Sequence, residues 1–397
     1  MNELIAARVN ALAESETLAM ARRARELEAQ GHSIIKLNIG EPDFQTPAHA
    51  KQAAKDAIDA GFSFYTPVSG TLELRQAIAE KLQRDNGLQW KAENIVVSTG
   101  AKQSIANIVM TLLNPDDEII VFTPYWVSYS EIIKLAAGKV VFVAGTFEND
   151  FKVTAEQLQN AITPRTKAIL YSAPCNPTGA VYSKAELEAI ARVVEPHENI
   201  YVIADEIYEY ICYEPNYTSI GSFDFLHDRV ITINGFSKGF AMTGWRVGYM
   251  AANKTIALAC DKLQGQITSG TCSIAQKAAT GALKDLNPTH EMNAIYLKRR
   301  DLVLSLLREI PHIRANTPQG AFYAFPDVSY YIGKSYNGTV VHTTDELAML
   351  LLTEAHIALV QGTAFGAPEY LRISFAASEE NIREALVRLH AFLVKMK

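Results

Sequence analysis

The chain has 397 residues, 48% of them hydrophobic and 20% charged, enough for a large core and more than one domain. A formal net charge of −6 gives no general nucleic-acid or membrane-surface footprint. There is no basic leader with an apolar core and no apolar run long enough to span a bilayer, so a cytoplasmic protein is expected.

In chain order, residues 4–30 read as one helix rich in Ala, Glu, Arg and Leu, and 33–40 as a strand entering a turn. From about 46 to 285, short apolar runs alternate with helical patterns; the runs are 95–97, 118–122, 139–143, 168–171, 201–204, 230–233 and 247–251. Such alternation predicts an α/β fold, a mostly parallel sheet with helices on both faces. After Asn287-Pro288 the character changes. A charged amphipathic helix over 291–309 is followed by short strands at 321–325 and 371–375, a helix near 344–356 and a terminal helix from Glu379. This predicts a smaller α+β domain. Cys175, Cys212, Cys260 and Cys272 are not spaced as C-x-x-C, and the histidines do not cluster with them, so neither a metal site nor a disulfide framework is expected.

Several apolar runs end in residues that carry chemistry, and open α/β sheets bind ligands at that edge. The run 95–97 leads through Ser98-Thr99-Gly100-Ala101-Lys102 into a helical pattern; free N–H groups at such a junction suit a phosphate. Lys102 is a cation at a helix N-terminus, where it opposes the dipole. Asn176 sits in Asn176-Pro177-Thr178-Gly179, a turn that also offers an amide. Asp205 ends a buried run; it reads equally as the cap of a following helix or as a carboxylate that keeps a pyridine nitrogen protonated. Tyr208 falls on the same side if a helical turn begins at Asp205. Lys238 stands in Ser237-Lys238-Gly239-Phe240, eight residues before Arg246 in Gly244-Trp245-Arg246-Val247-Gly248. There an amine can form a Schiff base with an aldehyde cofactor, beside a hydroxyl and a guanidinium suited to its phosphate.

Taken together these segments resemble the fold-type I pyridoxal-phosphate enzymes, in particular class I aminotransferases and, among them, the bacterial aspartate aminotransferases. The resemblance extends from Ser15-Glu16-Thr17 through Gly40-Glu41-Pro42-Asp43-Phe44 to Leu371-Arg372-Ile373-Ser374-Phe375. It implies a seven-stranded sheet in a large domain over 46–285 and a small domain from 1–45 and 286–397. It implies pyridoxal 5'-phosphate as cofactor and a homodimer with shared sites. Lys238 is then the Schiff-base lysine and proton shuttle, Asp205 the partner of the pyridine nitrogen, and Asn176 and Tyr208 the ligands of the ring 3-oxygen. Trp126 stacks on the ring. Gly100, Ala101, Lys102, Ser237 and Arg246 surround the phosphate, and Tyr65 reaches the phosphate of the neighbouring subunit. Arg372 clamps the substrate α-carboxylate and Gly40 touches it through its backbone, while Lys102, with Ser15 and Thr17, meets a dicarboxylate side chain.

The implied reaction is ping-pong exchange of an amino group between L-aspartate and 2-oxoglutarate. Prephenate, aromatic or alanine specificity is the alternative. A cofactor-binding regulator is disfavoured because no basic recognition helix is present, and a Rossmann dehydrogenase because its glycine fingerprint is missing.

Overall fold

The computed structural model describes residues 4–14 and 16–397; Ser15 lies outside the described residues. The seven apolar runs form the strands of one sheet: β1 (Ile95–Ser98), β2 (Glu118–Thr123), β3 (Lys139–Ala144), β4 (Thr166–Ser172), β5 (Tyr201–Asp205), β6 (Val230–Gly235) and β7 (Gly248–Ala251). Their spatial order is β1-β7-β6-β5-β4-β2-β3. β7 runs antiparallel to both neighbours, and every other pairing is parallel.

Helices cover both faces, which is why the strands read as continuous apolar runs. Successive residues enter different cores. Ile120, Ile169 and Val202 pack with Leu187 and Ile190 on one side; Ile119, Leu170 and Ile203 pack with Ile105, Ile108 and Ile133 on the other. Only the edge strand β3 is open along its length.

Three helices matter for the site: α1 (Glu16–Ala29), α2 (Leu72–Asn86) and α3 (Ala101–Leu112). Thr71 caps α2 by accepting from the Leu74 N–H, and Gly87 ends it in the left-handed region at φ 70°, a conformation glycine adopts without penalty. The sequence predicts a single helix over 4–30; the chain instead forms Ala7–Asn10 and then α1. A tertiary contact accompanies the break: the Ala13 N–H donates to Glu131 Oε2 at 2.9 Å.

A further core joins segments near the two chain ends. Met20 and Ala24 of α1 and Leu37 pack with Tyr296, Phe322, Leu371, Ile373 and Leu389. Leu371–Ser374 is the middle strand of a three-stranded sheet, and the Ser374 N–H donates to the Leu37 carbonyl at 2.8 Å. The segment Gly40–Phe44 is fixed from this side, because Arg299 pairs with Asp43 at 2.7 Å and Tyr296 meets Phe44 edge-on at 5.2 Å.

Candidate active site

The carboxyl ends of β1, β2, β4, β5 and β6 converge on one cavity of about 520 Å³. Lys238 enters it from the turn after β6, and its ammonium donates to the Gly40 carbonyl at 2.5 Å. Enclosure pushes the Lys238 pKa down from 10.5 to about 8; the guanidinium groups of Arg372 and Arg246 push the same way, while the Glu41 and Asp205 carboxylates oppose them. A lysine so placed is half neutral near pH 8, where an ordinary lysine is almost wholly charged.

Asp205, at the end of β5, is 4% exposed. One oxygen accepts from the Tyr129 hydroxyl at 2.6 Å and the other from the Ile207 N–H at 3.3 Å. Burial raises its pKa to about 6, against the Tyr129 and Ile207 bonds and the Lys238 charge, which lower it. The carboxylate accepts from the turn that follows it and also lines the cavity. That turn is not a helix. The Glu209 N–H donates to Glu206 O and the Ile211 N–H to Tyr208 O, and this succession of turns puts Tyr208 in the cavity wall.

The cavity wall also contains Arg372, which is 2% exposed. Nη1 donates to Asn176 Oδ1 at 2.9 Å and Nη2 to the Asn38 carbonyl at 2.7 Å. Its Nε has no partner among the described residues. A buried guanidinium with donors to spare is a ready receptor for a carboxylate. The rings of Tyr323 and Phe365 lie 4.5 and 4.9 Å from its carbon.

At the third corner lies the start of α3. The residue before it, Gly100, has φ 84°, and a Cβ there would fall 2.2 Å from Arg246 Nη2. Only glycine lets the guanidinium come this close. Arg246 itself is left-handed at φ 56°, a conformation costing about 1–3 kcal/mol and characteristic of functional positions. Ala101, Lys102, Ser237 and Arg246 line the cavity here. The arrangement of free helix N–H groups, hydroxyl and guanidinium fits a phosphate. The Lys102 ammonium stands 4.9 Å from the centre of the Trp126 ring. Partial enclosure and Arg246 push its pKa down, but much of the side chain is open to water, which blunts the shift.

Gly40, Trp126, Asn176 and Thr17 complete the cavity lining among the residues singled out in the sequence. Gly100 stands behind Arg246. Tyr65 is 99% exposed and does not line this cavity. Ser15 lies outside the described residues.

Three participants have no signal in the sequence. Tyr129 lies in a helix, where a lone aromatic reads as core. Tyr323 shares a 2.7 Å hydroxyl contact with Tyr208. Asn38 contributes only its backbone carbonyl to Arg372. Tyr129→Phe removes a bond that lowers the Asp205 pKa, so Asp205 should titrate higher and carry less charge near neutrality. The acid limb of the activity profile is expected to move up by roughly one pH unit. An unchanged pH–rate profile would show that the bond does not tune Asp205.

A family model described as aminotransferase class I and II matches residues 32–389. The chain is 45% identical to an aspartate/prephenate aminotransferase of Cereibacter sphaeroides over 95% of its own length and 96% of that protein. It is 43% identical to an aspartate aminotransferase of a Bacillus species, covering 99% and 100% of the two chains. Among solved structures, the aspartate aminotransferase of Rhizobium meliloti superposes with a TM-score of 0.96 at 40% identity, over 99% of each chain. That of Thermus thermophilus with maleate gives 0.91 at 40% identity, over 98% of this chain and 99% of the other. With matches of this extent and a shared fold, the chain belongs to the class I and II aminotransferase family.

Proposed function

We propose that the protein is a pyridoxal-phosphate-dependent transaminase acting on aspartate and 2-oxoglutarate. The observation that carries this reading is the convergence, in one cavity, of an amine with a depressed pKa, a buried carboxylate and a buried guanidinium with spare donors. The names of the relatives support the choice of substrate.

The residues present fit the cofactor. The gap kept open by Gly100, the start of α3, Ser237 and Arg246 would hold its phosphate. Asp205 would face its ring nitrogen, Asn176 and Tyr208 its ring oxygen, and Trp126 its ring face. When bound, pyridoxal phosphate supplies an electron sink for the substrate Cα. The protein supplies position and proton transfer. Arg372 takes the α-carboxylate in a two-pronged contact, beside the Gly40 backbone. Lys238 Nζ, neutral when free, takes the proton from the substrate Cα and later returns it. Asn176, bonded to Arg372, ties the carboxylate end of the substrate to the ring end, so the gain is largely in orientation.

Lys102, with Thr17 and Ser15, would meet the second carboxylate of aspartate, glutamate or prephenate. Half-reaction rates with aspartate, glutamate, alanine, phenylalanine and arogenate test this directly. Lys102→Ala is expected to slow the dicarboxylates roughly 10- to 100-fold while alanine stays within about twofold. Equal losses for aspartate and alanine would remove Lys102 from that role, and a wild-type preference for alanine or phenylalanine would overturn the substrate assignment. Arogenate reacting as fast as aspartate would favour the aspartate/prephenate reading.

The proposal includes the large unit over 46–285, the small unit from the two chain ends, and a second copy of the chain. Phe64 and Tyr65 are 85% and 99% exposed, an apolar pair that a partner subunit would cover. Tyr65 would then serve the partner's phosphate. Sedimentation of the active protein as a dimer is expected; an active monomer would sink the shared-site arrangement.

A further inference from the structure

The segment from Asp205 to Ile211 faces two ways. Asp205 and Tyr208 line the cavity, whereas Glu206, Glu209 and Tyr210 do not. On this reverse side the end of α2 grips the turn. Lys81 Nζ pairs with Glu209 Oε1 and donates to Asn86 Oδ1 at 2.7 Å. Asn86 Nδ2 in turn donates to Glu209 Oε2 at 2.7 Å. One residue on, the Tyr210 hydroxyl donates to Asp85 Oδ2 at 2.5 Å, and the Lys81 ammonium stands 5.1 Å from the Tyr210 ring centre. Two consecutive residues, Glu209 and Tyr210, are thus held from behind by one helix end, with Glu206 fixed separately by the Ser219 hydroxyl at 2.6 Å.

Lys81 and Glu209 are 1% and 8% exposed. Removing two charges from water costs several kcal/mol each, and apolar replacements of a whole buried pair are often as stable or more so. Stability alone is therefore a weak reason for a buried ion pair in this place. A directional reason is stronger: the pair accepts one placement of residue 209, and that fixes the turn whose other face carries Tyr208 and follows Asp205. A greasy contact would tolerate sliding; a three-membered Lys81–Glu209–Asn86 ring of polar contacts does not.

We propose that the Lys81–Glu209 pair, with Asn86 and the Asp85–Tyr210 contact, is a positioning device for the active site, holding the Asp205–Ile211 turn so that Asp205 and the Tyr208 hydroxyl keep their places. This rests on the transaminase reading. None of these five side chains touches substrate or cofactor; they act through the turn.

The test uses the holoprotein and the double variant Lys81→Met/Glu209→Gln, which removes both charges together and leaves none buried alone. Three readouts are taken: the thermal midpoint, kcat and KM for aspartate, and the pH titration of the visible absorbance of the lysine-bound cofactor. The expected result is a melting point close to wild type, kcat down about tenfold with KM within about twofold, and a displaced titration midpoint. A folded double variant with wild-type kcat and a wild-type titration overturns the proposal. Should that variant fail to fold, Tyr210→Phe decides: it deletes one grip at the protein surface and should lower kcat about two- to threefold with a shift of the same sign. Wild-type values for both readouts in Tyr210→Phe overturn the proposal equally. If the wild-type protein has no activity with aspartate, the substrate reading fails instead, and the absorbance titration still judges the positioning role.

Discussion

Lys238→Ala should abolish turnover, by about 10,000-fold or more, and with it the visible absorbance of a lysine-bound cofactor. The size of the effect follows from the two tasks assigned to one atom. In the proposed reaction Nζ would anchor the aldehyde covalently and also move the Cα proton, and general acid–base transfer alone contributes about 100- to 10,000-fold. Among the described residues, only one other amine lines the cavity. Lys102, the other lysine of the cavity, is drawn toward the Trp126 ring. The environment of Lys238 adds a second expectation. Its pKa is lowered to about 8, so the neutral, nucleophilic fraction of the cofactor-free protein grows as pH rises through about 8. Recovery of the visible band on adding pyridoxal phosphate should accelerate over that interval and then level off. A rate still rising steeply up to pH 10 would mean that the amine keeps an ordinary pKa. Full activity in the alanine variant would overturn the assignment outright.

Arg372→Leu should lower kcat/KM for every α-amino acid roughly 100- to 1,000-fold, because under the proposed role each substrate would bring the same α-carboxylate to the same guanidinium. Lysine at this position keeps the charge but loses the planar fork, so Arg372→Lys should recover only part of the loss. The cofactor band should survive in both variants, since Arg372 makes no bond to Lys238, whose ammonium donates to the Gly40 carbonyl. Leucine also leaves the Asn38 carbonyl and the Asn176 amide oxygen without their donor. Part of the loss therefore comes from Asn176 being free to turn. The pattern across substrates is the diagnostic: a loss confined to aspartate and glutamate would exchange the proposed roles of Arg372 and Lys102.

The sheet was legible because parallel strands buried on both faces leave an unambiguous trace, apolar runs that stop abruptly at Asp205, at Asn176-Pro177 or at Ser237-Lys238. Its one reversed member, β7, reads like its neighbours, since strand direction leaves no mark on composition. Asp205, Asn176 and Lys238 were marked in the same way, as polar groups after apolar segments, whereas Arg372 and Trp126 were reached only through the family resemblance. Tyr129 and Tyr323 were not marked, because a phenol among apolar residues looks like packing until its hydroxyl partner is known. Asn38 escaped because its contribution is a carbonyl that every residue possesses. The break between Asn10 and α1 was hidden by good local helix propensity; the contact that accompanies it, from Ala13 to Glu131, spans 118 residues. The grip of α2 on Glu209 was equally silent: along a helix full of charges, Lys81 gives no sign that it faces inward.

The bond from Arg372 to the Asn38 carbonyl joins positions 334 residues apart, and the strand that carries it lies close to the end of the chain. During synthesis Lys238 therefore leaves the ribosome long before the guanidinium that faces it. Until residue 372 emerges, the nascent chain lacks the guanidinium that binds the Asn38 carbonyl and that is proposed to receive the substrate carboxylate.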